Sequence, residues 1–196
     1  LQAEGLTILM GPNGSGKTTL LRVLHGIERV SAGTVAWAAV DEAAQRRQAY
    51  VFQQPIMLRR SVADNLRYPL HIVATPRAEA DAAVAFWLDQ IGLAPLAETP
   101  ATRLSGGERQ KLALARALIR KPEVLFLDEP CANLDGRSTR EIEALLLDTA
   151  ARGTRLIMAT HDMGQARRLA TEAIFLLSGR LHESGAAPQF FASPQT

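Results

Sequence analysis

Leu6-Thr7-Ile8-Leu9-Met10-Gly11-Pro12-Asn13-Gly14-Ser15-Gly16-Lys17-Thr18-Thr19 is the stretch that decides the fold. A short apolar run without alternation enters a glycine-rich turn, and Lys17 to His25 then reads as a helix, so the segment is strand, loop, helix. Gly11 to Thr18 satisfies G-x-x-x-x-G-K-[ST] in the context that pattern requires. Glycines let the backbone curl so that successive N–H groups face phosphate oxygens, and the helix N-terminus adds partial positive charge. Lys17 is expected to reach the β- and γ-phosphates and the Thr18 hydroxyl to hold Mg²⁺. The expected nucleotide contacts are Gly11, Asn13, Gly14, Ser15, Gly16, Lys17, Thr18 and Thr19. A purely structural glycine turn would not need lysine and threonine in this register.

Working outward, short apolar runs recur at Val124 to Leu127 and Leu156 to Ala159, with a weaker one at Ile174 to Leu177. Continuous apolarity separated by helical stretches predicts an α/β fold with a mainly parallel sheet covered on both faces. Between Pro55 and Thr102 such runs vanish, and Val84, Trp87, Leu88 and Ile91 fall at i, i+3, i+4 and i+7. Residues 55–103 are therefore expected to form a helical lobe inserted into an α/β core of 1–54 and 104–196, with Trp87 in its core and Pro69, Pro76, Pro95 and Pro100 punctuating it.

The 196 residues suit one compact domain, and 47% apolar with 21% charged residues is ordinary globular composition. A net charge of +2 is too small to indicate a nucleic-acid partner. Cys131, the single cysteine, excludes an intrachain disulfide and fits a reducing compartment. No apolar run approaches the roughly 18–20 residues that span a bilayer. The sequence opens at Leu1, close to the first apolar run, from which missing upstream strands are expected.

Two further stretches carry chemistry. Val124-Leu125-Phe126-Leu127-Asp128-Glu129 is a strand ending in adjacent acids; Asp128 is placed to hold Mg²⁺ and Glu129 to orient and deprotonate the attacking water, since successive strand residues point apart. Leu104-Ser105-Gly106-Gly107-Glu108 reads as a capping box opening a helix, with two glycines that cost helix stability and offer close approach to a phosphate.

This last stretch resembles the signature of the ATP-binding cassette (ABC) family, usually written LSGGQ, with Glu108 in place of the glutamine. The rest of the resemblance follows in order along the chain, from Gly5 to about Gly185. Gln53 matches the Q-loop, with Gln54 as the competing assignment; Asp135, in Ala132-Asn133-Leu134-Asp135, matches the D-loop; His161 matches the switch histidine. The resemblance implies a P-loop ATPase using ATP and Mg²⁺, with Glu129, His161 and Gln53 catalytic and Thr18, Gln53 and Asp128 at the metal. It also implies a head-to-tail pair of identical subunits in which Ser105, Gly107 and Asp135 serve the partner's nucleotide. Transmembrane permease subunits and a periplasmic or lipid-anchored substrate-binding protein are implied partners, with this subunit peripheral on the cytoplasmic side of the cell membrane. Family members carry an adenine-stacking aromatic upstream of the loop. Leu1 to Met10 contains none, and Trp37 and Tyr50 are poor substitutes. Either the chain is truncated or the base is held more loosely.

Among function classes, a compact cassette without a fused membrane segment resembles importer ATPases. The tail, Thr160 to Ala166 followed by Ile174 to Gly185 and Phe190-Phe191-Ala192-Ser193-Pro194, is similar to cassettes for tungstate, molybdate or phosphate. The alternative is a soluble ABC-type ATPase not coupled to transport, but the long coiled coils or tandem cassettes of those proteins are missing. A regulator that no longer hydrolyses would lack Glu129 or His161.

Overall fold

The computed structural model describes residues 5–37 and 47–192. Leu1 to Glu4 and Ser193-Pro194 of the tail lie outside the described residues.

The described residues hold a six-stranded sheet of β1 (Leu6–Met10), β2 (Gln48–Val51), β3 (Val124–Asp128), β4 (Arg155–Ala159), β5 (Glu172–Leu177) and β6 (Arg180–Ala186), in the order β2-β3-β4-β1-β5-β6. Every pairing is parallel except β5 with β6. The continuous apolar runs are the inner strands, and β1 and β4 are buried throughout. Two strands escaped the sequence reading because they lie at the edges. β2 is half-buried with a polar start, and β6 is mostly exposed. A two-residue turn, Ser178-Gly179, with φ of 50° and 75°, folds β6 back on β5, and this primed-turn geometry matches strand twist.

Two compact units emerge. The first comprises residues 1–53, 122–130 and 143–196 and contains the sheet, with α1 (Lys17–His25), α6 (Met163–Leu169) and α7 (Ala187–Ala192). Its core gathers Leu9, Leu21, Phe126, Ile157 and Ala159, against which Trp37 and Tyr50 pack. Burying each large apolar side chain contributes about 2 kcal/mol. A buried polar group ties three strands at the end away from the loops: Arg155 pairs with Glu172 at 3.2 Å and donates to the Thr7 hydroxyl, which donates to Glu172 Oε2 at 2.7 Å.

The second unit, residues 54–121 and 131–142, holds α2 (Val62–Ile72), α3 (Arg77–Gln90), α4 (Gly106–Leu118) and the start of α5 (Gly136–Ala151). It reaches further than the span 55–103 read from the sequence, because α4 packs on α2 and brings the following helix start with it. On α3 the expected stripe is buried at Val84 and Leu88, continued by Ile91, but Trp87 lies at its margin, half-buried and edge-on to Phe86. Pro69 sits inside α2, which ends soon afterwards. The buried Asn65 accepts from Leu58 N–H and Arg116 and donates to Ser61 O at 2.9 Å, while Arg116 donates to Ile56 O at 2.7 Å; together they shape the loop before α2.

Candidate nucleotide site

The loop 11–16 leaves the carboxyl end of β1 and opens α1. Gly11 has φ 142°, and a Cβ there would lie 2.2 Å from Leu176 O, so only glycine permits the loop to lie this close to β5. Gly179 N–H donates to Ser15 O, fastening the loop to the β5–β6 turn. Lys17 is 6% exposed and its ammonium donates to Gly11 O at 2.9 Å and Pro12 O at 3.2 Å, with no carboxylate partner among the described residues. The Ser15 hydroxyl is buried without a hydrogen-bond partner. A buried cation satisfied only by carbonyls, beside an orphaned hydroxyl at a helix start, fits an anionic phosphate group. Asn13, Gly14 and Thr19 are exposed on the same loop and first turn.

Beside it, the Thr18 hydroxyl donates to Asp128 Oδ1 at 2.9 Å. Burial raises the Asp128 carboxyl above its ordinary pKa, and the Thr18 and Tyr50 hydroxyls act in the opposite sense. A carboxylate whose charge is penalised by burial, next to a hydroxyl and a phosphate cradle, fits a hard divalent cation, and Mg²⁺ sites use one or two carboxylates with substrate phosphates. Among the described residues there is no cluster of three or more His, Cys, Asp or Glu.

Glu129 lies past the end of β3 at φ 46°, a left-handed conformation uncommon for this residue type. The divergence of Asp128 and Glu129, expected from strand alternation, thus comes from a backbone kink. Glu129 Oε2 accepts from Gln53 Nε2 at 3.3 Å and lies 3.2 Å from His161 Nδ1, while Oε1 has no partner among the described residues. Gln53 is brought to Glu129; its hydrogen bond is not to Thr18 or Asp128, and Gln54 begins the helical unit. The backbone under His161 is anchored on both sides. Glu129 N–H donates to Ala159 O, Thr160 N–H donates to Leu9 O, and Asp162 caps α6 by accepting from Gln165 N–H.

The remaining candidates lie in the helical unit. Ser105 caps α4 in the expected capping box: its hydroxyl and N–H each meet Glu108 Oε2 at 2.7 Å, and these bonds hold the Glu108 carboxyl below its usual range. Ser105 and Gly106 are exposed but Gly107 is buried, and a Cβ there would lie 2.5 Å from Ser138 Oγ. Ser138 donates to Asp135 Oδ2 at 2.7 Å, and Asp135 Oδ1 accepts from the N–H groups of Arg137 and Ser138. Asp135 therefore caps α5. Sequence reasoning missed Ser138 and Tyr50, whose hydroxyl lies 3.4 Å from Asp128 Oδ2. Both roles depend on pairings that no local motif announces.

A family model described as "ABC transporter" matches residues 1–132. The chain belongs to the ABC transporter family. It is 40% identical to the tungstate uptake system ATP-binding protein TupC of Peptoclostridium acidaminophilum, over 91% of this chain and 85% of the relative. It is 38% identical to the phosphate import ATP-binding protein PstB 2 of Natronomonas pharaonis, over 95% and 72%, and 42% identical to the nickel import ATP-binding protein NikO of Rhodobacter capsulatus, over 95% and 80%. The structure of cbiO1 from Clostridium perfringens, part of the ABC transporter complex cbiONQ, superposes with a TM-score of 0.88 at 28% identity, covering 98% of this chain and 81% of that one. This ABC subunit is thus an ATP-binding ATPase of the importer type. Its relatives carry different substrates, so the substrate is not common to them. Among the described residues no helix is long and apolar enough to cross a membrane.

Proposed function

We propose that the chain powers import of an inorganic oxyanion by hydrolysing Mg·ATP in a pair of identical subunits. The observation that carries the chemistry is the state of Glu129: one carboxylate oxygen is held by Gln53 and His161 and the other is open. Glu129 Oε1 takes the proton of the attacking water, and Gln53 and His161 fix the carboxylate's orientation through Oε2. Lys17 and the free backbone N–H groups between Asn13 and Thr19 bind the phosphates. Thr18 and Asp128 would hold Mg²⁺, which neutralises phosphate charge when bound. Ser105, the first turn of α4 with Gly107, and Asp135 would serve the nucleotide on the second copy. The relatives named for tungstate and phosphate support the oxyanion reading; the nickel relative does not. Permease subunits and a substrate-binding protein would complete the transporter, with this chain on the cytoplasmic face of the membrane.

Glu129→Gln tests the reading. The variant should bind ATP as the parent does, turn over about 10²–10⁴-fold more slowly, and run as a dimer with ATP in size exclusion. Parental turnover, or a monomer at saturating ATP, would refute it. Tungstate and phosphate uptake by cells expressing the subunit with its neighbouring permease genes addresses the cargo.

A further inference from the structure

Tyr50 is a residue that none of the motifs includes. On β2 it pairs in register with Phe126 of β3, and the two rings run nearly parallel, 17° apart with centroids separated by 6.4 Å. Side chains alternate along a strand, so Phe126 and Asp128 share a face of β3, and a ring lying along Phe126 directs its hydroxyl at the Asp128 carboxylate. The Tyr50 hydroxyl lies 3.4 Å from Asp128 Oδ2, while Thr18 holds Oδ1 at 2.9 Å. Each carboxylate oxygen therefore has its own hydroxyl. The two are not equivalent, because Thr18 is itself a candidate metal ligand and must turn its oxygen toward a bound cation, whereas Tyr50 approaches from the opposite oxygen and is free to keep its bond. The ring is fixed on further sides by Phe52, tilted at 4.6 Å, and by His25, edge-on at 5.6 Å.

We infer that Tyr50 is a positioning residue for the metal site: its hydroxyl holds Asp128 Oδ2 so that Oδ1 and Thr18 are presented together to Mg²⁺. The inference rests on the Mg·ATP reading above. Partners that orient a metal-binding carboxylate contribute measurably to metal affinity, and a bond of this length belongs at the weaker end of their range.

Tyr50→Phe keeps the ring and removes only the hydroxyl. Mn²⁺ binding to the subunit saturated with a non-hydrolysable ATP analogue, followed by electron paramagnetic resonance, should weaken about three- to ten-fold. Affinity for the same analogue in EDTA and the thermal midpoint without nucleotide should match the parent. Equal Mn²⁺ affinity in variant and parent would overturn the inference while leaving the Mg·ATP reading intact. Parallel loss of metal-free nucleotide affinity or of thermal stability would overturn it too, because a structural role moves all three. Failure of the parent to bind the analogue would instead remove the underlying reading. Tyr50→Leu, which loses both ring and hydroxyl, should weaken Mn²⁺ binding at least as much as Tyr50→Phe, and a stronger-binding Tyr50→Leu would equally refute the role of the hydroxyl.

Discussion

The two adjacent glycines of the signature should respond differently to the same substitution. In Gly107→Ala the new methyl would sit 2.5 Å from Ser138 Oγ and 2.9 Å from Ser138 Cβ, against about 3.5 Å for a comfortable contact. Ser138 cannot simply swing aside, because its hydroxyl and N–H both bind Asp135. Either α4 shifts, at about 1–3 kcal/mol for overpacking, or the Ser138–Asp135 hydrogen bond breaks. Exchanging glycine for alanine in a helix returns up to about 1 kcal/mol. The net loss is about 1–2 kcal/mol, which lowers the thermal midpoint of a chain this size by about 2–8 °C. Gly106→Ala meets only Leu134 Cδ2 at 3.8 Å, an ordinary contact, so its midpoint should hold or rise by a few degrees. Circular dichroism melts of the nucleotide-free subunit read both. Adding Ser138→Ala to Gly107→Ala should cost less than the sum of the single changes, since the overlapping oxygen is then gone. Equal shifts for Gly106→Ala and Gly107→Ala would refute the packing argument.

Lys17→Ala removes a buried cation that only carbonyls satisfy, and calorimetric titration should show ATP affinity reduced by about 100-fold or more; unchanged affinity would mean that the loop does not hold phosphate. The Glu108 carboxyl, held low in the folded state by Ser105, contributes stability that is complete above its unfolded pKa of about 4.3 and is lost as pH falls through the folded value. Parent and Glu108→Gln should therefore differ in thermal midpoint at pH 6 and converge towards pH 3, and a gap independent of pH would contradict the charge-assisted cap.

The sheet's inner strands were legible because burial on both faces leaves an unbroken apolar run, as in Leu125-Phe126-Leu127. Edge strands have no such constraint. Gln48 to Val51 and Arg180 to Ala186 are written in residues that solvent tolerates, so their strand character appears only once a neighbour is in place. The same distinction separates the site residues. The phosphate loop, the strand-end acids and the capping box are local arrangements, each carried by a few consecutive residues whose chemistry requires that spacing. Gly107 was read for what its missing side chain could admit from outside, whereas Ser138, in the next helix, already occupies that space. Asp135 was likewise expected to face a nucleotide, and its carboxylate is engaged in capping α5. Tyr50 needed the β2–β3 register before its hydroxyl could be placed.

The peptide hydrogen bond from Glu129 to Ala159 joins the candidate base to the strand end that carries His161. Base and histidine thus hang from neighbouring strand ends that main-chain hydrogen bonds hold in register. Loss of the Asp162 cap would loosen the histidine side of this arrangement while leaving the Glu129 to Ala159 bond in place. The separation of the two groups is thus set chiefly by the sheet and less by the loops that follow it.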